Sequence, residues 1–149
     1  MPKINKNASV ILSLICCGIG FLGLGAVAAL LPVYLPSHGG LYGETLSPWF
    51  VAMAYVYLIP VAVADGFLVR LLLLVRKHQV FTDRAVSCLR TISWCCFIEA
   101  GLFVVIGVLF FGIDLILAFV AGFLGLVLRV VKNVIEEAVA LKAENDFTI

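Results

Sequence analysis

Two acidic residues, Asp65 and Glu99, lie inside otherwise apolar stretches of the sequence. An ionisable group within a bilayer is costly, so such a residue is by default a candidate for function. Two acids at one depth in adjacent helices could share a proton, bind a cation or meet a base. The nearest candidate bases are Arg70, which follows Asp65 on the same segment, and Arg129. The alternative is that the acids are neutral, or are paired with these arginines, and serve only to fix helix register.

The remaining residues form no recognisable catalytic set. The sequence has no converging Ser/His/Asp or Cys/His arrangement and no His/Glu cluster with metal-ligand spacing. We therefore predict no catalytic residue, no metal and no cofactor, and we expect that the protein is not an enzyme. The five cysteines are interpreted as small apolar packing residues, and Cys88, near the predicted membrane surface, is the one candidate for a reactive thiol.

The composition is that of a membrane protein. Of the 149 residues, 64% are hydrophobic and 13% are charged, whereas a soluble domain has about 45–50% apolar and about 25% charged residues. A water-soluble globule is therefore excluded. The net charge of +1 gives no basis for direct nucleic-acid binding.

Four apolar stretches are long enough to cross a bilayer core, for which about 20 residues suffice. Pro48 suits the first position of the second helix, and a short turn from Gly112 to Asp114 makes the third and fourth spans an antiparallel hairpin. We predict an all-α, polytopic membrane protein with four antiparallel transmembrane helices in one domain, embedded in a lipid bilayer. The predicted spans cover residues of about 10–31, 49–72, 91–111 and 115–131.

The cations predict the orientation of these spans. All ten Lys and Arg residues fall before the first span, around the connection between the second and third, or near and beyond the inner end of the fourth. Since such residues are retained on the cytoplasmic side, both termini and the middle loop are predicted to be cytoplasmic. Counted from that side, Asp65 and Glu99 are both expected roughly 12–14 Å into the membrane.

Two segments on the predicted cytoplasmic side are amphipathic. Thr82 can cap a short loop helix beginning at Asp83, which we expect to lie along the inner membrane surface. Beyond the fourth span, a helical extension continues an apolar stripe, and Lys132 and Glu136 have the spacing of an i, i+4 pair. Either this extension binds a partner or it folds back on the loop helix or the lipid surface. The candidate partner-binding residues are Arg76, Lys77, Phe81, Arg84, Arg90, Glu136, Glu137, Glu144, Asn145 and Asp146.

The order of several short motifs resembles that of a bacterial family of small four-span membrane proteins, catalogued as domain of unknown function 2975. The motifs are Phe81-Thr82, Leu89-Arg90 with Ile92-Ser93, and the ending Glu144-Asn145-Asp146-Phe147-Thr148-Ile149. The resemblance covers nearly the whole chain. It implies a bacterial inner-membrane protein, often encoded beside a small helix-turn-helix DNA-binding protein, and hence a membrane-bound partner of a regulator.

Two functional hypotheses follow. In the first, the protein regulates or tethers a cytosolic partner through its middle loop and C-terminal segment. In the second, it is a small proton- or cation-coupled transporter that uses Asp65 and Glu99. Small multidrug exporters also have four spans, but they place their essential acid in the first span, which carries no charge here. Small residues at i, i+4 spacing also allow a homo-oligomer, and a purely structural role is a third alternative.

Overall fold

The computed structural model describes the backbone of residues 6–38, 48–77, 79–109, 112 and 114–147, and the side chains of 9–33, 52–77, 79–108, 112 and 114–145. These residues form four helices and no strand, which confirms the all-α prediction. The helices are α1 (Lys6–His38), α2 (Pro48–Arg76), α3 (Asp83–Leu109) and α4 (Asp114–Phe147).

Each helix contains a segment long and apolar enough to cross a membrane: Ser9–Val33, Ala52–Arg76, Asp83–Val108 and Asp114–Asn145. Their outward-facing side chains are large and apolar. Leu22, Phe119 and Val108 are each more than 70% exposed. Such surfaces are costly in water but match lipid tails, so the helices fit a bilayer environment.

The four helices are arranged as an open antiparallel row. In the described part of the chain, α1 packs on α2, α2 on α3 and α3 on α4, and no other pair of helices is in contact. The burial is concentrated on α3, where 28% of the most apolar segment is buried, against 6% in α1. The described residues of the four helices therefore enclose no shared central core.

Small residues allow α3 and α4 to approach closely. A Cβ atom added at Gly125 would lie 3.3 Å from the Cβ of Cys96, and one added at Gly107 would lie 2.9 Å from the backbone nitrogen of Leu115. The Ser93 hydroxyl donates a hydrogen bond of 2.8 Å to the carbonyl oxygen of Gly125. Close backbone contact and an interhelical hydrogen bond are how membrane helices associate without a hydrophobic driving force.

The interface between α2 and α3 is apolar near the α2–α3 connection. Leu74, Ala85 and Cys88 form a buried cluster, against which Phe67 and Leu71 pack. Cys88 is only 2% exposed, so the interpretation of this residue as a reactive surface thiol is wrong. Its position on the stripe of α3 that faces α2 explains its burial.

The loop helix predicted at Thr82 is not a separate element, because α3 runs without a break from Asp83 to Leu109. The carbonyl oxygen of Thr82 accepts the N–H groups of Ala85 and Val86, at 2.9 and 3.3 Å. The hydroxyl donates to the carbonyl oxygen of Gln79 instead of capping the helix. The first residues of α3 continue the buried stripe of the same helix, in which Ala85, Val86 and Leu89 are buried.

The predicted C-terminal helical extension is present as an unbroken continuation of α4, which runs to Phe147. Its apolar residues divide between two sides of the helix: Val131, Val134 and Leu141 are exposed, whereas Ile135 and Ala138 are partly covered. We call the end of the row where α2 connects to α3 the basic end. The cations among its described side chains are Arg70, Arg76, Lys77, Arg84, Arg90, Arg129, Lys132 and Lys142.

Candidate functional site

Asp65 lies in the interface between α1 and α2. A Cβ atom at Gly20 would be 3.3 Å from the Oδ2 atom of Asp65, so the glycine leaves the space that the carboxyl occupies. The thiol of Cys17 also lies beside this carboxyl. Oδ2 is buried and has no hydrogen-bond partner. A polar atom buried in this way is costly, and no cation among the described side chains forms an ion pair with it.

Glu99 lies in the interface between α2 and α3 and is 7% exposed. Both of its carboxyl oxygens are buried without a hydrogen-bond partner. The phenol of Tyr57 is close enough to interact electrostatically with Glu99. However, its hydroxyl donates a bond of 2.9 Å to the carbonyl oxygen of Leu102. The hydroxyl proton of Tyr57 is therefore bonded to a backbone carbonyl, and Tyr57 does not donate a hydrogen bond to Glu99.

The expectation that the two acids share one level is wrong. Leu74 packs on Ala85 and Cys88, and Tyr57 packs on Phe103, so the position on α3 opposite Asp65 is near Cys95. Glu99 is four residues further along α3, a difference of about 6 Å along the helix axis. The expectation failed because hydropathy fixes the ends of a span only to within a few residues, whereas the register between two helices depends on how they pack. The two carboxyls occupy separate interfaces at different depths.

The arginines proposed as counter-ions do not reach these acids. Arg129 lies over the ring of Trp94, with 5.4 Å between its Cζ atom and the ring centroid, and α4 makes no contact with α2 in the described residues. Arg70 is exposed, and five residues along a helix turn its side chain about 140° away from Asp65. The ion pairs found among the described side chains lie at the basic end instead.

Those ion pairs centre on Glu136 of α4. Its carboxylate lies 2.6 Å from the ammonium nitrogen of Lys132 and 3.6 Å from the guanidinium of Arg90 on α3. The predicted i, i+4 pair is therefore confirmed. The hydrogen bond from Lys132, together with the charges of Lys132 and Arg90, lowers the pKa of Glu136. Glu136 links the extension of α4 to the start of α3.

A cleft that the sequence did not predict lies beside this ion pair, between α3 and α4. We call it the basic cleft, and it is lined by Arg90, Ser93, Trp94, Arg129 and Lys132. One available signal was the position of Trp94 near a span end, where interfacial aromatics are common. The other was Arg129 and Lys132, three residues apart and hence on one face of α4.

The other candidate partner-binding residues are distributed over the basic end. Arg76, Lys77, Phe81 and Arg84 are exposed around the α2–α3 connection. Glu137, Glu144 and Asn145 are exposed on α4, whereas the side chain of Asp146 lies outside the described residues. Among the described side chains, no three His, Cys, Asp or Glu residues come together as a metal ion would require.

The row of four apolar helices defines a polytopic integral membrane protein. Residues 5–149 match the family described as Protein of unknown function (DUF2975), and the chain belongs to that family. No curated protein matches the chain, and no solved structure matches it.

Proposed function

We propose that this protein is not an enzyme but an interaction protein of the bacterial inner membrane, whose basic end faces the cytoplasm and binds a cytosolic partner. The first candidate partner is a helix-turn-helix DNA-binding regulator. The orientation is supported by the concentration of cations at that end, which is characteristic of cytoplasmic segments.

The observation that carries this proposal is the length of α4 relative to α3. Leu115 packs against Gly107, and Gly122 lies beside Ala100, so the start of α3 at Asp83 is opposite position 139 of α4. Residues 140–147 are helical and extend beyond α3 by about 12 Å. The described side chains of this projecting segment, 140–145, are all exposed.

The surface around this projecting helix has mixed chemistry. Leu141 is exposed, and so are Glu137 and Glu144. At the same end of the row, the α2–α3 connection carries an exposed Phe81 and a group of exposed cations. A partner helix with apolar residues on one face and charges of both signs at its margins would match such a surface.

The test is a crosslinking pull-down from native membranes, with partners identified by mass spectrometry. The intact chain is compared with a variant that lacks residues 144–149 and with the control Val108→Ala, which changes a lipid-facing residue near the opposite end. We expect a DNA-binding protein that is captured by the intact chain and the control but not by the truncated chain. Capture that is unchanged by the truncation would reject the proposal. A second copy of this chain as the only captured protein would instead indicate a homo-oligomer.

The buried carboxyls favour a second candidate, a small proton- or cation-coupled transporter. Asp65 and Glu99 keep buried oxygens without partners, and such groups within membrane helices often belong to ion or proton pathways. Because the acids lie in separate interfaces, this candidate requires two successive binding positions along a path rather than one shared site.

This candidate is tested by proton movement in proteoliposomes. A K⁺ or Na⁺ gradient is imposed, and the internal pH is followed with trapped pyranine. We expect a cation-dependent pH change that is lost in Asp65→Asn and in Glu99→Gln but kept in the control Glu137→Gln, which removes an exposed carboxylate. An equal pH change in the double variant and in the wild type would end this candidate.

A further inference from the structure

The basic cleft between α3 and α4 carries more positive charge than its neighbours neutralise. Arg90, Arg129 and Lys132 line it, and Glu136 at its edge pairs with two of them. The group therefore keeps a net charge of about +2 at neutral pH. Such a cleft suits an anion better than a neutral ligand.

The cleft lies at the level where phospholipid headgroups meet the hydrocarbon core. About 20 residues cross that core, so a count from Asp114, at the opposite end, places the boundary near Asn133 on α4. The same count from Val108 places it near Leu89 on α3. Lys132 and Arg90 are thus within one residue of the boundary, and long cationic side chains at this depth reach toward the headgroups.

The side chains of the cleft are held in place before any ligand binds. The guanidinium carbon of Arg129 lies over the ring of Trp94, and this cation–π contact restrains the side chain without supplying an acceptor oxygen to its N–H groups. Lys132 is only 14% exposed and is fixed by its bond to Glu136. The hydrogen bond from Ser93 to Gly125 holds the two helices together beneath the cleft. Such preorganisation lowers the entropy lost on binding.

We propose that the basic cleft binds the phosphodiester of an anionic phospholipid headgroup, with Arg129 and Lys132 as the principal donors and Arg90 at the rim. Basic pockets between membrane helices at this depth are suited to such headgroups. A lipid is favoured over free phosphate because exposed apolar side chains of α4, such as Leu126 and Val130, lie on the membrane side of the cleft. They offer the acyl chains a surface continuous with the bilayer. The proposal does not depend on the cytosolic partner.

The test uses Trp94 as the reporter. The full chain with Trp49→Phe, which leaves one tryptophan, is reconstituted in phosphatidylcholine vesicles that contain brominated phosphatidylglycerol or brominated phosphatidylcholine. Bromine quenches a nearby tryptophan, so the ratio of the two quenching constants measures lipid preference at the cleft. We expect a preference for phosphatidylglycerol of about fivefold to twenty-fivefold, from about fivefold for each of the two principal cations.

The same measurement is made on two charge-matched variants. Arg129→Gln with Lys132→Gln should reduce the preference to nearly one. Arg76→Gln with Lys77→Gln, which removes two cations of the same end outside the cleft, should leave it unchanged. Equal loss in both variants would assign the preference to the general charge of this end and overturn the proposal.

Two further arms keep the test decisive. Millimolar inorganic phosphate should not reduce the quenching by phosphatidylglycerol; a complete loss would mean that the cleft is a site for free phosphate. If the double variant fails to fold, two other measurements replace it. The conservative variant Lys132→Arg should retain the preference for phosphatidylglycerol. The preference of the Trp49→Phe chain should decrease as the salt concentration is raised. Equal quenching by the two lipids in that chain contradicts the proposal.

Discussion

The carboxyl groups of the helix interfaces and the carboxyl group at the basic end are in opposite situations. Asp65 and Glu99 have buried oxygens without hydrogen-bond partners, although each lies between two helices. Glu136 is half exposed, and an ion pair contributes least to stability when it is exposed to solvent. Nevertheless, Glu136 pairs with Lys132 and Arg90. The groups that would gain most from a counter-ion are the ones that lack it.

The difference follows from where the cations can be placed. Long cationic side chains near a span end can reach the headgroup region, whereas a cation at the membrane centre cannot. The open row of helices also keeps α4 away from α2, so Arg129 is not available to Asp65. Pairing at the basic end therefore stabilises the α3–α4 contact. The interior acids instead lower the stability of the fold, which is expected of residues kept for a function.

The largest effect on stability should come from removing the buried carboxyl group of Glu99. Replacing Glu99 by Met keeps the volume nearly constant and removes two unpartnered oxygens, so we expect a gain in stability of about 1–2 kcal/mol. Glu99→Gln should gain less, because the amide is still polar and buried. The measurement is thermal unfolding in a mild detergent, with melting temperatures compared at one protein and detergent concentration.

The matched control is Glu136→Met, which deletes a paired carboxylate and should lower the melting temperature or leave it unchanged. Opposite signs for the two Met variants would sharpen the contrast between the interior and the basic end. A lower melting temperature for Glu99→Met would break that contrast, since it would show that the carboxyl makes a stabilising interaction.

A smaller effect is expected for lipid preference when Glu136 is neutralised. Glu136→Gln frees Lys132 and raises the net charge around the basic cleft, so the preference for phosphatidylglycerol should rise by about twofold to fivefold. Trp94 quenching in the Trp49→Phe background measures it. Glu137→Gln removes the same charge from the next residue and should have less effect. An equal rise in the two variants would show that the pairing seen at Glu136 has no particular role.

The smallest effect concerns pH. Lys132 and Arg90, which face Glu136 from α4 and α3, lower its folded pKa below the ordinary value of 4.5. This group therefore contributes stability above its unfolded pKa, and the contribution is lost as the pH falls through the folded pKa. The melting temperature of the wild type should exceed that of Glu136→Gln at neutral pH, and the difference should vanish in acid. If the difference in melting temperature grew in acid, the ionised form of Glu136 would not be the stabilising one, which would contradict this prediction.

The sequence was sufficient to predict the helices and much less informative about their contacts. The four spans, the turn between α3 and α4 and the pair of Lys132 with Glu136 are all local features, set by hydrophobic length or by i, i+4 spacing. The burial of Cys88 and the extent of α3 were not predicted. Both depend on how the start of α3 packs against the end of α2, and this contact between distant residues cannot be read from the sequence of either helix alone.

By itself, the sequence determined that this chain lies in a membrane, crosses it four times and collects its cations at one end, because hydrophobicity and charge act residue by residue. Only the tertiary structure decided that the helices form an open row, that Asp65 and Glu99 lie in different interfaces, and that a basic cleft forms beside Trp94. These features depend on helix rotation and register, which are set by close packing at small residues such as Gly20, Gly107 and Gly125. In lipid, where apolar side chains are satisfied on every face, such contacts rather than hydrophobic patterning choose the neighbours of each helix.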